Sequence, residues 1–332
     1  MRAHAVIFPD RLKVEYREVT VPDPGPNDIV VQTRYSWISK GTEGSFLRCE
    51  RINGETPYRP GDPWPFPIAP GYQSTGIVMH VGRGITDVRP GQWVFCTIGR
   101  IDGMYEPFGG HISPKVVDRS QVWPLPSNTS PVAVSGLVLT QVGYNCGTRP
   151  QINAGDTALV IGDGLVGHWA AQTLAWRGAK VLLAGKHDDR LAFFAHGSAD
   201  LCINVAREDL VSRVKRTVPA GLNVLIDTVG SLSSVRQCMP LMKHSGHIVS
   251  AGFNGTDSSI DVQRLRFGEL TFHSPSGWEK RRMDETLALI TGGHLRTEDL
   301  ITHRFPAARA DDAWKLILDR TETVLGVVLE WS

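Results

Sequence analysis

The sequence predicts an α/β protein: a doubly wound parallel sheet preceded by an irregular, partly barrel-like β domain. Three observations carry this. The apolar run Thr157-Ala158-Leu159-Val160-Ile161 leads into Gly162-Asp163-Gly164-Leu165-Val166-Gly167 and then into a helix-compatible segment, 168–177. From Thr157 onward strand-like and helix-like stretches alternate, as crossover connections in a parallel sheet require. Before about residue 130 that rhythm is missing, and short β-rich runs are broken by glycine and proline. A chain of 332 residues also exceeds what one core usually holds, so two domains are the default.

Taken in order, residues 14–19 and 28–35 are β-rich and flank the turn Pro22-Asp23-Pro24-Gly25-Pro26. Further strands are predicted at 76–81, 93–98 and 111–117. The parallel sheet takes 157–161, 180–184, 201–203, 223–226 and 247–251, with a sixth strand near 269–273. Helices fall between them at about 165–177, 188–196, 207–217 and 231–243. A helix pair at 281–291 and 310–320 and a strand at 326–330 do not extend this pattern and are expected to return to the first domain. The division expected is thus 1–130, 131–275 and 276–332.

The glycine run has a physical reading. Gly162 permits a tight turn, Gly164 lets a pyrophosphate approach the backbone, and Gly167 lets the helix pack on the strand. Phosphates then meet free N–H groups at a helix N-terminus, where the dipole favours negative charge. A nicotinamide or flavin dinucleotide is therefore expected. An acid ending the second strand would bind both ribose hydroxyls and repel a 2′-phosphate. Here Gly185-Lys186-His187 stands in that place, with Arg190 one turn on, so NADP is favoured over NAD, although Asp188 and Asp189 partly offset the positive field.

Composition excludes several classes. Net charge is +1 with 21% charged and 41% hydrophobic residues, so neither nucleic acid nor a membrane is an expected partner, and a small-molecule substrate is. The N-terminal apolar stretch meets Pro9-Asp10 too soon for a signal peptide. Cysteines 49, 96, 146, 202 and 238 are odd in number and form no CxxC pair, which reads as reduced thiols in the cytoplasm.

Several segments together resemble the medium-chain dehydrogenase/reductase superfamily over nearly the whole chain. They are Pro70-Gly71-Tyr72-Gln73, 76–82, 88–94, Phe108-Gly109-Gly110-His111, the glycine run, Ile226-Asp227-Thr228-Val229-Gly230, Ala251-Gly252-Phe253 and 300–306. The resemblance implies a GroES-like β domain, a Rossmann domain and a homodimer through edge strands near Leu270. It also places Thr140, Leu165, Val166, Asp227, Thr228, Val229, Ala251, Gly252 and Phe253 at the cofactor. The superfamily's zinc branch has a cysteine where this chain has Ser39 or Lys40, a histidine where it has Tyr72, and a cysteine or acid where Leu137 falls. Catalytic zinc needs three good ligands and an open position, so a metal-free protein is expected. The stretch 36–43 with Pro70-Gly71-Tyr72 is similar to a zinc-free subgroup that includes bacteriochlorophyllide 1-hydroxyethyl dehydrogenases, which oxidise a side-chain secondary alcohol.

Hydride transfer without zinc needs side chains to polarise the carbonyl or take the alcohol proton. The candidates are Lys40, for alkoxide charge or as a base, and Tyr72, donating to the oxygen with a relay to Thr42. Glu43 is a third, anchoring Lys40 or acting as an acid itself. His111 reads as a satisfied strand histidine or else a proton relay, Trp64-Pro65-Phe66-Pro67 with the loop 48–63 as a substrate lid, and Trp37, Trp64 and Trp278 as pocket walls or packing. The leading expectation is an NAD(P)-dependent enzyme acting on a secondary alcohol or ketone. The alternatives are an NADPH-dependent enoyl or quinone reductase and a non-catalytic dinucleotide-binding protein.

Overall fold

The computed structural model describes residues 1–50, 64–105, 109–194, 201–254 and 258–332. The loop 48–63 of the expected lid thus lies largely outside the described residues, while its segment 64–67 is described; Phe108 and positions 195–196 of the helix expected at 188–196 lie outside as well. The chain forms two compact units, residues 1–138 with 301–332, and residues 139–300.

The first unit opens with β1 (Arg2–Ile7), β2 (Glu15–Thr20), β3 (Asp28–Trp37), β4 (Ser74–Val81), β5 (Trp93–Cys96), β6 (Ile112–Ser113), β7 (Lys115–Asp118) and β8 (Val122–Pro124). The second unit holds β9 (Thr157–Ile161), β10 (Lys180–Gly185), β11 (Cys202–Asn204), β12 (Leu222–Asp227), β13 (Met242–Ser250) and β14 (Thr271–His273). The chain then returns to the first unit with β15 (Ile301–Pro306) and β16 (Gly326–Glu330).

In the second unit all strands run parallel in the order β11-β10-β9-β12-β13-β14. Such a sheet is buried on both faces, which is why its strands are nearly continuous apolar runs. Leu159, Leu182, Leu225 and Ile248 pack on one face with Leu210, Val214 and Val235. Val160, Leu183, Val224 and Val249 pack on the other with Ala170, Ala171 and Leu174. The doubly wound sheet is as the sequence predicts.

In the first unit β2-β1-β6 form a small antiparallel sheet, and β15-β16-β3-β4-β5-β8 form a larger mixed one with β7 also on β3. The irregularity follows from β3, whose ten residues pair with β4 through two register shifts. The C-terminal strand β16 lies antiparallel on the end of β3, with Leu329 opposite Ser36. This unit's core gathers Phe8, Ile38, Phe46, Leu47, Trp314, Val327 and Leu329.

Some boundaries differ from expectation. Pro114 has no N–H to give a ladder, and the strand expected at 111–117 is two strands, β6 and β7. The helix expected at 188–196 is Asp188–Leu191 among the described residues. The helix Lys280–Thr291 belongs with the nucleotide-type unit, where the Tyr144 hydroxyl donates to Glu285 Oε2 at 2.8 Å. The return to the first unit therefore begins at 301 rather than 276, and the second unit begins at 139 rather than 131. Trp37 is core packing, not a pocket wall: it is fully buried, and a Cβ on Gly136 would lie 2.8 Å from its ring.

Candidate functional site

The candidate side chains gather in two places, one in each unit. In the second unit the end of β9 turns sharply at Gly162, whose φ of +126° is open only to glycine. A Cβ there would come within 2.2 Å of the Thr228 hydroxyl, and one on Gly167 within 1.9 Å of the Gly162 carbonyl oxygen. Gly164, by contrast, caps the helix Leu165–Trp176 and faces open space. The first and last glycines thus close the turn and seat the helix, while the middle one leaves an uncovered cradle beside a helix N-terminus. This is the geometry a pyrophosphate needs.

The neighbouring strand ends complete the cradle. Thr228 is fixed by its N–H and hydroxyl to the Ile161 carbonyl, at 2.9 and 3.0 Å. Asp227, expected at the cofactor, is fully buried and spends its carboxylate on the backbone. It accepts from Val229, Gly230 and Ser231 N–H at 2.9, 3.2 and 2.8 Å and so fixes the turn after β12. The Asp227 carbonyl accepts from Ala251 and Gly252 at 2.8 and 3.1 Å, tying the end of β13 to it. Val229 and Phe253 stand 58% and 45% exposed at these strand ends, apolar groups of the kind a flat ring can cover. Thr140 lies fully buried in the same unit.

At the end of β10 the expected residues converge on one that the sequence reading passed over. Asp163 Oδ2 accepts from Lys186 N–H at 2.8 Å, from His187 N–H at 2.9 Å and from the His187 ring Nδ1 at 2.8 Å. Its Oδ1 lies 3.7 Å from the Arg190 guanidinium. Burial pushes the Asp163 carboxyl up, but the hydrogen bonds from His187 and the two backbone N–H groups outweigh it and hold the group below its ordinary value. Gly185, Lys186, His187 and Arg190 are thus brought together, around an acid.

In the first unit the end of β3 runs through Ile38 and Ser39 into the helix Thr42–Leu47. Glu43, in its first turn, is fully buried. Its Oε1 accepts from Ser39 N–H at 2.7 Å, and its Oε2 lies 2.9 Å from His111 Nε2. His111 Nδ1 is 2.8 Å from the Ser36 hydroxyl, which also accepts from the Trp331 indole at 2.8 Å. The His111 ring lies against Gly71, where a Cβ would come within 2.5 Å of it. His111 is therefore a satisfied buried histidine, as expected, but its partner is Glu43.

Beside this network the Tyr72 hydroxyl donates to the Ser39 hydroxyl at 2.5 Å. Lys40, in turn, donates to the Val324 carbonyl. Thr42 is half-buried, and its carbonyl accepts from the Ser45 hydroxyl at 2.6 Å. Ser39 was considered only as an occupant of a ligand's place. The available signal was that place itself, since a hydroxyl there stands where a metal would polarise the substrate. The residues at the zinc-ligand positions do not fit zinc: a serine and a tyrosine bonded to each other and a buried Leu137 offer no thiolate, imidazole or carboxylate. Among the described residues no three His, Cys, Asp or Glu side chains are grouped to hold a metal. Nor, among them, is any helix long and apolar enough to cross a membrane.

Comparison with known proteins gives a consistent set. Residues 166–292 match the family described as zinc-binding dehydrogenase, a match that lies within the second unit and includes none of the ligand positions. The 2-desacetyl-2-hydroxyethyl bacteriochlorophyllide A dehydrogenase of Rhodobacter capsulatus is 29% identical over 318 residues, covering 93% of this chain and 92% of its own. An alcohol dehydrogenase of Cupriavidus necator is 25% identical, covering 98% of each chain. The solved structure of an Escherichia coli oxidoreductase/dehydrogenase of unknown specificity superposes with a TM-score of 0.87 at 19% identity over the whole of both chains, a likeness of fold.

Proposed function

We propose that this chain, which belongs to the medium-chain dehydrogenase/reductase superfamily, is a zinc-independent oxidoreductase that moves a hydride between a nicotinamide dinucleotide and a secondary alcohol or its ketone. The observation that carries the reading is the cradle at Gly162, Gly164 and Gly167 in a parallel sheet of order β11-β10-β9-β12-β13-β14. The likeness to a hydroxyethyl dehydrogenase supports a secondary alcohol as substrate class.

The bound nicotinamide would supply or accept the hydride. The chain's own task is to hold that cofactor and to manage the proton on the substrate oxygen. Phosphate charge would be met by the N–H groups around Gly164, and the exposed Val229 and Phe253 would cover apolar ring surface. Proton handling falls to Tyr72 and Ser39. Because Tyr72 donates to Ser39 Oγ, the serine's own proton is directed elsewhere and can polarise a carbonyl oxygen as negative charge develops. Glu43 fixes the Ser39 peptide, and His111 fixes Glu43, so both act as braces. The bond from Lys40 to the Val324 carbonyl supports a structural role for that ammonium. A homodimer through the edge strand β14 and residence in the cytoplasm complete the proposal.

The test is a cofactor-turnover screen over secondary alcohols and ketones with NAD and NADP, with and without a chelator. Turnover that survives chelation is expected, and Tyr72→Phe is expected to lower kcat by roughly 10²-fold or more while cofactor affinity stays unchanged. Activity lost on chelation and restored by zinc would overturn the zinc-independent reading. Turnover of enones alone would replace the alcohol reading with conjugate reduction.

A further inference from the structure

The adenosine end of the cradle contains an acid in an unusual position. In a dinucleotide fold the carboxylate that reads the ribose ends the second strand. That strand, β10, ends here at Gly185. A Cβ built on Gly185 would lie 2.4 Å from Asp163 Cβ, 2.6 Å from its Cγ and 2.5 Å from its Oδ2. The space the strand-end side chain would take is therefore filled, and what fills it is a carboxylate delivered from the glycine turn of β9.

The surroundings say what this carboxylate can do. Oδ2 is saturated by three donors, two of them backbone N–H groups of the segment that follows β10. That fixes the group in place. Oδ1 has the Arg190 guanidinium at 3.7 Å, an ion-pair distance too long for a hydrogen bond. The side chain keeps 10% of its surface exposed. Two of the groups that could meet a 2′-phosphate, His187 and Arg190, are both turned to Asp163, and Lys186 gives it its backbone N–H. A phosphate there would have to compete with the carboxylate for them and sit beside its negative charge.

We infer that Asp163 is the cofactor-specificity residue, accepting hydrogen bonds from the adenosine ribose hydroxyls and excluding a 2′-phosphate, so that the site selects NAD(H) over NADP(H). This reverses the preference that Lys186 and Arg190 suggest when read without Asp163. It rests on the dinucleotide-dependent reading above and adds the choice between the two nicotinamide cofactors.

The experiment is equilibrium binding of NADH and NADPH, followed by nicotinamide fluorescence or calorimetry, so that no substrate is needed. The unaltered protein is expected to bind NADH at least about tenfold more tightly, as the loss of a charge-assisted hydrogen bond and the gain of like-charge repulsion require. Asp163→Asn should narrow that ratio by about tenfold or more, mainly by improving NADPH. Moving the acid gives a second handle. The three atoms nearest a Cβ at Gly185 all belong to the Asp163 side chain, so Asp163→Gly combined with Gly185→Asp should return the NADH preference. Tighter NADPH binding by the unaltered protein, or a ratio unmoved by Asp163→Asn, would overturn the inference while leaving the dinucleotide reading intact. Failure to bind either cofactor would bring down both.

Discussion

Each unit of this chain holds a carboxylate against a histidine, and the two pairs differ in almost everything else. Glu43 and His111 come from positions 68 residues apart, and both side chains are fully buried. Asp163 and His187 follow the C-terminal ends of the neighbouring strands β9 and β10, and the His187 ring is 49% exposed. In the first pair every polar atom is matched from within the protein, which is how a buried network comes to fix one arrangement. In the second, one acid oxygen has only the Arg190 guanidinium at 3.7 Å and the imidazole is half exposed, as a ligand-reading site requires. A sealed pair supports the fold, whereas an open pair is available to a ligand, and the difference can be measured.

The largest effect should come from breaking the sealed pair. Glu43→Ala leaves a buried histidine and the Ser39 N–H without their acceptor, and removing one member of such a pair typically costs about 3–5 kcal/mol. Glu43→Gln keeps two hydrogen-bonding atoms in place and should cost clearly less, about 1–2 kcal/mol. Urea unfolding of both variants is the check. Equal, small losses would show that the network is not a brace and would leave Ser39 without its positioning residue.

Another buried charge-bearing group sharpens the point, because among the described residues it has no carboxylate partner. Lys115 is fully buried in β7, donating to the Ser74 hydroxyl at 2.7 Å, with the Thr97 carbonyl at 3.5 Å and the Cys96 thiol nearby. Burial pulls its ammonium down from 10.5 to about 8, and pushes Cys96 up to about 12. The unfolded chain thus holds a proton on Lys115 up to about pH 10.5, while the folded protein releases it from about pH 8. Where the unfolded state binds more protons, stability rises with pH. The Lys115 penalty is therefore complete below about pH 8 and disappears as the pH climbs from 8 to 10.5. Lys115→Met should stabilise the protein at neutral pH by about 1–2 kcal/mol, after the lost Ser74 hydrogen bond is deducted. It should also flatten the rise in thermal midpoint over that alkaline window. A loss of stability in Lys115→Met would show that the ammonium is better satisfied than its neighbours suggest.

The contrast also explains what the sequence could reveal. The cradle was legible because two backbone constraints, on Gly162 and Gly167, and an open glycine between them fall at fixed spacing next to an apolar strand. The alternation of strands and helices was legible for the same local reason. Glu43 could be singled out as a candidate, but its partner could not, since the pairing with His111 arises only when the loop before β6 crosses Gly71. Asp163 was missed for a different reason. It occupies a non-glycine position of the run and looks like a spacer, while attention falls on the strand end at Gly185. The combination of an acid within the turn and a glycine at the strand end was the signal, and it has meaning only once the two are known to touch.

The smallest effect should come from His187→Ala, and it tests the comparison from its open side. His187 is half-exposed, and Asp163 keeps its two backbone donors, Lys186 N–H and His187 N–H, when the ring is removed. Exposed charge pairs typically contribute about 0.2–1 kcal/mol, so the urea midpoint should barely move. Cofactor binding should respond more than stability does, because removing the ring frees part of Oδ2 and lets the carboxylate shift relative to a ribose. A shift of about threefold in NADH affinity with a stability change under about 1 kcal/mol is the expected signature. The opposite pattern, a loss above about 2 kcal/mol with binding untouched, would make Asp163 and His187 a second structural brace and remove the distinction between the two pairs.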